Sequence, residues 1–158
     1  LLPGGAAVAL LSPWVGRISD RIGTKPLVMA GVIAMGGSAL FLSTFASCAS
    51  PVLSALGVMG AGIAFALINS PVTNSAAGVL QKDTIGAGMG FFQGALYLGA
   101  GTGASLVGAL LHARSDAEVP LNPVYALHAV NYSDAFLSVA AAACIALIAS
   151  VGLKKDAK

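Results

Sequence analysis

The sequence predicts an all-α integral membrane protein. Of its 158 residues, 57% are hydrophobic and only 9% are charged, whereas roughly 25% of the residues in a soluble domain are charged. The mean hydropathy is +0.88. The chain also has 20 glycines, and membrane helices use small residues so that their backbones can approach closely. These three observations exclude a soluble domain and favour a bundle of transmembrane helices.

The apolar runs divide the chain into one partial and four complete spans. Residues 1–15 are too short for the roughly 20 residues that cross a bilayer, so they are interpreted as the end of a helix. The chain begins without methionine or a basic leader, and we expect a fragment of a longer protein. A transmembrane bundle is predicted over residues 1–153, with complete spans at 26–46, 52–80, 87–111 and 134–153, followed by a tail at 154–158.

Two prolines mark features of these spans. Pro26 is tolerated in the first turn of its helix, because the N–H that it lacks would be unpaired there. The span at residues 52–80 would be roughly 43 Å long, against a hydrocarbon core of about 30 Å. We expect Pro71 to kink this helix, since proline cannot donate a hydrogen bond to the carbonyl of Leu67.

The span at residues 87–111 carries glycines at a four-residue spacing. Residues four apart lie on one face of a helix, and glycine there lets a neighbouring helix pack closely. The predicted packing residues are Gly86, Gly90, Gly94, Gly99 and Gly103.

Basic residues give the orientation, since cytoplasmic loops are enriched in Lys and Arg. Seven of the eight basic residues fall on one side of the predicted spans, and only Arg114 falls on the other. We therefore expect a multi-pass protein of the cytoplasmic (inner) membrane with a cytoplasmic carboxyl terminus and an outer loop at residues 112–133. The seven residues are Arg17, Arg21, Lys25, Lys82, Lys154, Lys155 and Lys158.

Residues 16–26 are predicted to form a charged aqueous hairpin between two membrane helices, because charges resist burial in lipid and Gly and Pro break helices. This hairpin resembles the signature loop of the major facilitator superfamily. In that loop, glycine, an apolar residue, a small residue, aspartate and a basic residue precede a second glycine and another basic residue. Thr24 departs from the pattern at a position that is often basic. The matching residues are Gly16, Ile18, Ser19, Asp20, Arg21, Gly23 and Lys25.

The resemblance implies an architecture and a function. In the superfamily this loop follows the second helix of each six-helix half, so the chain resembles the second to sixth helices of a carboxyl-terminal half. The glycine pattern at residues 86–89, 101–103 and 107–111 is similar to that of fourteen-helix drug:proton antiporters of the tetracycline and multidrug efflux type. This implies export of a small amphipathic or apolar substrate by alternating access. The proton gradient would supply the energy without a cofactor, and the missing amino-terminal half would be the partner.

The resemblance also implies a conformational switch in the charged hairpin. Asp20 is placed to accept hydrogen bonds at the positive end of a neighbouring helix, or to pair with a nearby arginine, in one conformation and not in another. The alternative is that the charges only fix topology and solubility. The candidate switch residues are Gly16, Arg17, Asp20, Arg21, Gly23 and Lys25.

Two pairs of neutral polar residues are candidates for the wall of a substrate cavity. Asn69 and Thr73 share one face of the third helix, and Gln93 and Tyr97 share one face of the fourth. The resemblance implies that these two helices line the cavity and that the second and last helices lie outside it. The alternative is hydrogen bonding between helices, worth about 0.6 kcal/mol on average.

No pattern in the sequence indicates an enzyme. It has no phosphate-binding glycine loop and no metal-spaced His/Cys cluster. The spans contain no charged residue except Asp134 at an outer boundary, so the proton-carrying acid of an antiporter would lie outside these residues. We predict a transporter in a lipid bilayer with no metal and no nucleic-acid partner. A solute uptake carrier and a membrane structural subunit that transports nothing stay open as alternatives.

Overall fold

The computed structural model describes residues 2–45, 51–115, 121 and 130–152, and these contain helices but no strand. Four of the helices are long and apolar enough to cross a membrane, which confirms the predicted all-α membrane fold. The helices are α1 (Leu2–Ile22), α2 (Thr24–Phe45), α3 (Pro51–Val79), α4 (Ile85–Ala113) and α5 (Val130–Val151).

Helix α2 lies at the centre of the packed part of the bundle. It packs along both α3 and α5, and α1 also packs along α3. The core between these helices consists mainly of aliphatic and alanine side chains, because a polar group without a partner is costly to bury. Its buried members include Leu27, Val28, Val32, Ala39, Leu42, Ala64, Ala66 and Ala140.

Close approach of helices depends on glycines at the α2–α3 contact. A Cβ atom built on Gly31 would lie 2.6 Å from Ile68 Cγ1 and 3.1 Å from the carbonyl oxygen of Ala64. A Cβ atom on Gly60 would lie 2.7 Å from the Ser38 hydroxyl oxygen. Any side chain at Gly31 therefore forces α2 and α3 apart, since the backbone of α3 cannot yield as a flexible side chain can.

The link between α1 and α2 is much shorter than the predicted hairpin. Helix α1 continues through the charged residues to Ile22, and the connection is Gly23 alone, with φ of 90°. The N–H of Gly23 donates to the carbonyl oxygen of Ser19 (2.8 Å), which is the way glycine commonly ends a helix. The prediction that the helix stops at residue 15 was wrong, because a helix satisfies its own backbone bonds and can emerge from lipid without unwinding.

The remaining helix ends are close to the predicted ones, apart from α5, which starts at Val130 rather than at residue 134. Helix α3 runs through the buried Pro71 without a break in the helix. The predicted tail at residues 154–158 lies outside the described residues.

Candidate functional site

A polar contact joins α1 to α3 at the end of the bundle where Gly23 lies. A Cβ atom built on Gly16 would lie 3.6 Å from both the Ser70 hydroxyl oxygen and Asn74 Nδ2. The Ser70 hydroxyl donates to the carbonyl oxygen of Ser12 (3.4 Å). Ser70 and Asn74 are one helical turn apart, so one face of α3 meets the last turns of α1.

The first residue of α2 extends this contact. The hydroxyls of Thr24 and Ser75 share a hydrogen bond of 2.6 Å. Thr24, the residue that departs from the superfamily pattern, thus has a specific partner on α3. We call the group formed by Ser12, Gly16, Thr24, Ser70, Asn74 and Ser75 the polar interface.

Five of the six predicted switch residues can be placed relative to the polar interface. Gly16 belongs to it, Gly23 forms the link, and Lys25 is half-buried at the start of α2. Arg17 and Arg21 are exposed and lie four residues apart on α1. The backbone of Asp20 belongs to α1, but its side chain is outside the described part of the structure, so its latch contacts stay a prediction.

Asn69 and Thr73 lie beside the polar interface on α3. Each precedes an interface residue, Ser70 or Asn74, and is therefore turned by about 100° around the helix from it. Both side chains are half-buried. Among the described residues, neither takes part in a hydrogen bond, so the alternative of hydrogen bonding between helices gains no support from this part of the chain.

Gln93 and Tyr97 lie on α4, which has fewer contacts with the other described helices than any of them has. No residue of α4 is buried, and Tyr97 is 71% exposed. Helix α4 touches α3 and α5 in few places, and no hydrogen bond between described residues joins the Gln93 and Tyr97 pair to the Asn69 and Thr73 pair. The two candidate pairs thus lie on separate helices, and their role in lining a cavity stays a prediction.

The predicted packing glycines of α4 have no neighbour in the described part of the chain. Nothing lies within 4 Å of a Cβ atom built on any of them. A close helix contact at this face would need a partner outside the described residues, and the packing role stays a prediction. The residues concerned are Gly86, Gly90, Gly94, Gly99 and Gly103.

Sequence reasoning missed an ion pair at the opposite end of the bundle. Arg114, directly after α4, lies 2.6 Å from a carboxylate oxygen of Asp134 on α5, whose side chain is fully buried. The sequence placed each residue at the end of a span but did not pair them. The available signal was that an acid and a base ended two successive helices on the same side.

The long apolar helices define a multi-pass membrane protein. The polar interface lies beside its charged segment. The sequence model of the Major Facilitator Superfamily matches residues 4–157. The chain belongs to this superfamily, which confirms the resemblance of the signature segment, and its members are transporters.

Two curated relatives match the chain. Both are called Multidrug resistance protein Stp, from Mycobacterium tuberculosis strains CDC 1551 / Oshkosh and ATCC 25618 / H37Rv. Each is 33% identical over 115 residues, which is 72% of this chain and 21% of the relative. The aligned part therefore spans about a fifth of the length of these relatives. No solved structure matches the chain significantly.

Proposed function

We propose that the chain is part of a secondary active transporter that exports small amphipathic or apolar toxic compounds by proton antiport. The observation that carries the substrate class is the 33% identity to a multidrug resistance protein. The glycine pattern of α4 supports the fourteen-helix antiporter type within the superfamily. The energy source would be the proton gradient, with no bound cofactor.

The polar interface supports alternating access as the mechanism. Superfamily transporters of this kind expose a central site by rocking of two halves, which requires contacts that form in one state and open in another. The polar interface consists of hydroxyl, amide and backbone groups, and water can replace such partners at low cost. It lies one residue along α3 from Asn69 and Thr73, so a movement of the switch segment would displace these cavity candidates directly.

The proton carrier is proposed to lie outside the described residues. Asp134 is the one carboxylate within the described part of the spans, and Arg114 holds it in an ion pair. Because this carboxylate already joins α5 to the end of α4, we propose that another acid, outside the described residues, carries the proton.

Transport by the full-length protein tests the proposal. The protein would be expressed in a bacterial host without its own efflux pumps, and export of ethidium, a lipophilic cation, would be followed in cells and in inverted vesicles. We expect ethidium efflux that stops when a protonophore collapses the gradient, and acidification-driven uptake by inverted vesicles. Accumulation of substrate in intact cells would indicate an uptake carrier, and an absence of transport with any substrate would indicate a structural subunit.

A further inference from the structure

The end of the bundle remote from Gly23 contains a buried, fully bonded carboxylate. Both Arg114 Nη2 (2.6 Å) and Nε (2.7 Å) bind the same oxygen of Asp134. The other oxygen accepts a hydrogen bond from the N–H of Leu121 (2.8 Å). Asp134 thus ties together the end of α4, the connection that follows it and the first two turns of α5.

The neighbouring residue fixes this group to the centre of the bundle. The Ser43 hydroxyl on α2 donates to the carbonyl oxygen of Ser133 (2.9 Å) and lies 3.0 Å from the Ser133 hydroxyl oxygen. Ser43 and Ser133 are both buried. We call the group of Ser43, Arg114, Leu121, Ser133 and Asp134 the outer clamp.

The outer clamp contrasts with the rest of α4. No residue of α4 is buried, and its large side chains Phe91 and Tyr97 are 87% and 71% exposed. The helix is thus attached specifically at one end and weakly along its length within the described part of the chain. The Asp134 side chain is fully buried and that of Arg114 is 28% exposed, so the pair resists opening because the carboxylate would lose its partner while still buried.

We propose that the outer clamp is the pivot of α4 and that Arg114 and Asp134 are positioning residues of the transport cycle. The clamp holds the outer end of α4 against α5 and α2 while the inner half of the helix moves. The inner half carries Gln93 and Tyr97, so the pivot sets the path along which they approach and leave the cavity. This inference rests on the proposed function only in taking transport as the process that α4 serves.

Distance measurements on the full-length protein test the pivot without any change to the clamp. Spin labels at Ala113 and at Ala87 would mark the outer and inner ends of α4, each paired with a label at Ile33 on α2, in lipid nanodiscs with and without ethidium. All three positions are exposed. We expect a narrow, unchanged distribution from Ala113 and a broad or shifting one from Ala87. An Ala113 distance that changes as much as the Ala87 distance overturns the proposal.

Replacement of the ion pair by a covalent bridge distinguishes a contact that stays closed during transport, as a pivot requires, from one that must open. Arg114→Cys with Asp134→Cys, in a background with Cys48 and Cys144 changed to serine, should lower transport roughly tenfold or more by misplacing α4. Bridging the two thiols with a bifunctional thiol reagent should restore much of that transport. If the bridged protein stays inactive while its membrane yield is normal, the pair must open during transport and the pivot is wrong. If wild-type protein exports no ethidium, the proposed function fails, whereas the distance distributions still decide the pivot.

Discussion

At the residue scale, Gly31 shows why a helix contact in lipid depends on the absence of a side chain. Apolar helix surfaces within a bilayer contact lipid and not water, so the hydrophobic effect does not stabilise their association. The contact is stabilised by close packing instead. Gly31 reaches the backbone of α3 itself, at the carbonyl of Ala64. A Cβ atom built on Gly37, six residues further along α2, would have nothing within 4 Å.

This difference predicts opposite effects of the same substitution. Gly31→Ala should destabilise the protein by about 1–3 kcal/mol through overpacking. Gly37→Ala should be neutral or stabilising by up to about 1 kcal/mol, because alanine favours the helix. Thermal unfolding of detergent-solubilised protein, followed by size-exclusion chromatography after heating, measures both. Equal stability of the two variants would show that the α2–α3 contact can relax at no cost.

Asp20 provides the second residue-scale prediction. In the full-length protein, Asp20→Asn should keep insertion and yield but sharply reduce efflux, because it removes a charge that distinguishes two conformations. Asp83→Asn is the matched control, since Asp83 is exposed in the turn between α3 and α4 at the same end of the bundle. Ethidium efflux per amount of folded protein is the measurement. Full transport by Asp20→Asn would return this residue to a role in topology alone.

At the element scale, we expect Gly94 and the adjacent Ala95 on α4 to differ in whether they tolerate a large side chain. If Gly90 and Gly94 face a helix outside the described residues, Gly94→Leu should lower the folded yield whatever the substrate, because the backbones could not approach. Ala95→Leu adds the same side chain one residue further round the exposed helix and should be tolerated. The yield of monodisperse protein after purification compares the two variants, and equal yields would contradict the packing role.

At the proposed cavity positions of the same helix, we expect substitutions to change transport without lowering the folded yield. Gln93→Ala and Tyr97→Ala create space without pushing helices apart, so the yield should stay near normal while resistance changes unequally from one drug to the next. Resistance to a panel of unrelated drugs, divided by folded protein in the membrane, is the measurement. A loss for every drug in step with lost protein would identify both as packing residues.

The helices themselves could be predicted from the sequence, whereas their contacts could not. Long apolar runs between polar turns located α2 to α5, because lipid requires each backbone bond to close within its own segment. The end of α1 was misplaced because charge marks the membrane surface and not the end of a helix. The glycine spacing pointed to α4, yet among the described residues the glycines that meet a neighbouring helix most closely are Gly31, Gly57 and Gly60 on α2 and α3. Glycine spacing shows which face of a helix lacks side chains, but the helix that packs against this face depends on the arrangement of the whole bundle.

The polar contacts between helices could not be predicted from the sequence either. The polar interface and the outer clamp each join residues from distant parts of the chain, as in Thr24 with Ser75 and Ser43 with Ser133. Serine and threonine are common in membrane helices, where their hydroxyls can also bond back to the preceding turn, as those of Thr102 and Ser105 do here. Sequence alone does not distinguish a hydroxyl that bonds locally from one that joins two helices.

At the scale of the whole molecule, the described bundle leaves a large apolar surface on α4. Leu98 and Leu106 are 74% and 67% exposed, in addition to Phe91 and Tyr97. In a membrane this surface must be covered by lipid or by further helices. The relatives are about five times longer than the region they share with this chain. We expect the rest of the transporter, with the amino-terminal half as the proposed partner, to cover the face that carries Gln93 and Tyr97.

The orientation of the bundle yields the last prediction. Lys82 and Ser115 lie just beyond opposite ends of α4, are both exposed, and are separated by a helix of 29 residues, which is roughly 43 Å at 1.5 Å per residue. A membrane-impermeant thiol reagent can therefore reach only one of them from a given side. The seven-to-one distribution of basic residues favours Lys82 on the cytoplasmic side.

Single-cysteine labelling decides the orientation. In a full-length protein with Cys48 and Cys144 replaced by serine, Ser115→Cys should react with the reagent added to intact cells, whereas Lys82→Cys and Lys155→Cys should react only after permeabilisation. Lys155 lies outside the described residues and tests the carboxyl terminus independently. Labelling of each variant in permeabilised cells controls for thiols that are buried. Reaction of Lys82→Cys in intact cells would invert the bundle. The polar interface would then face outward and the outer clamp inward, and neither could act at the side of the membrane assigned to it here.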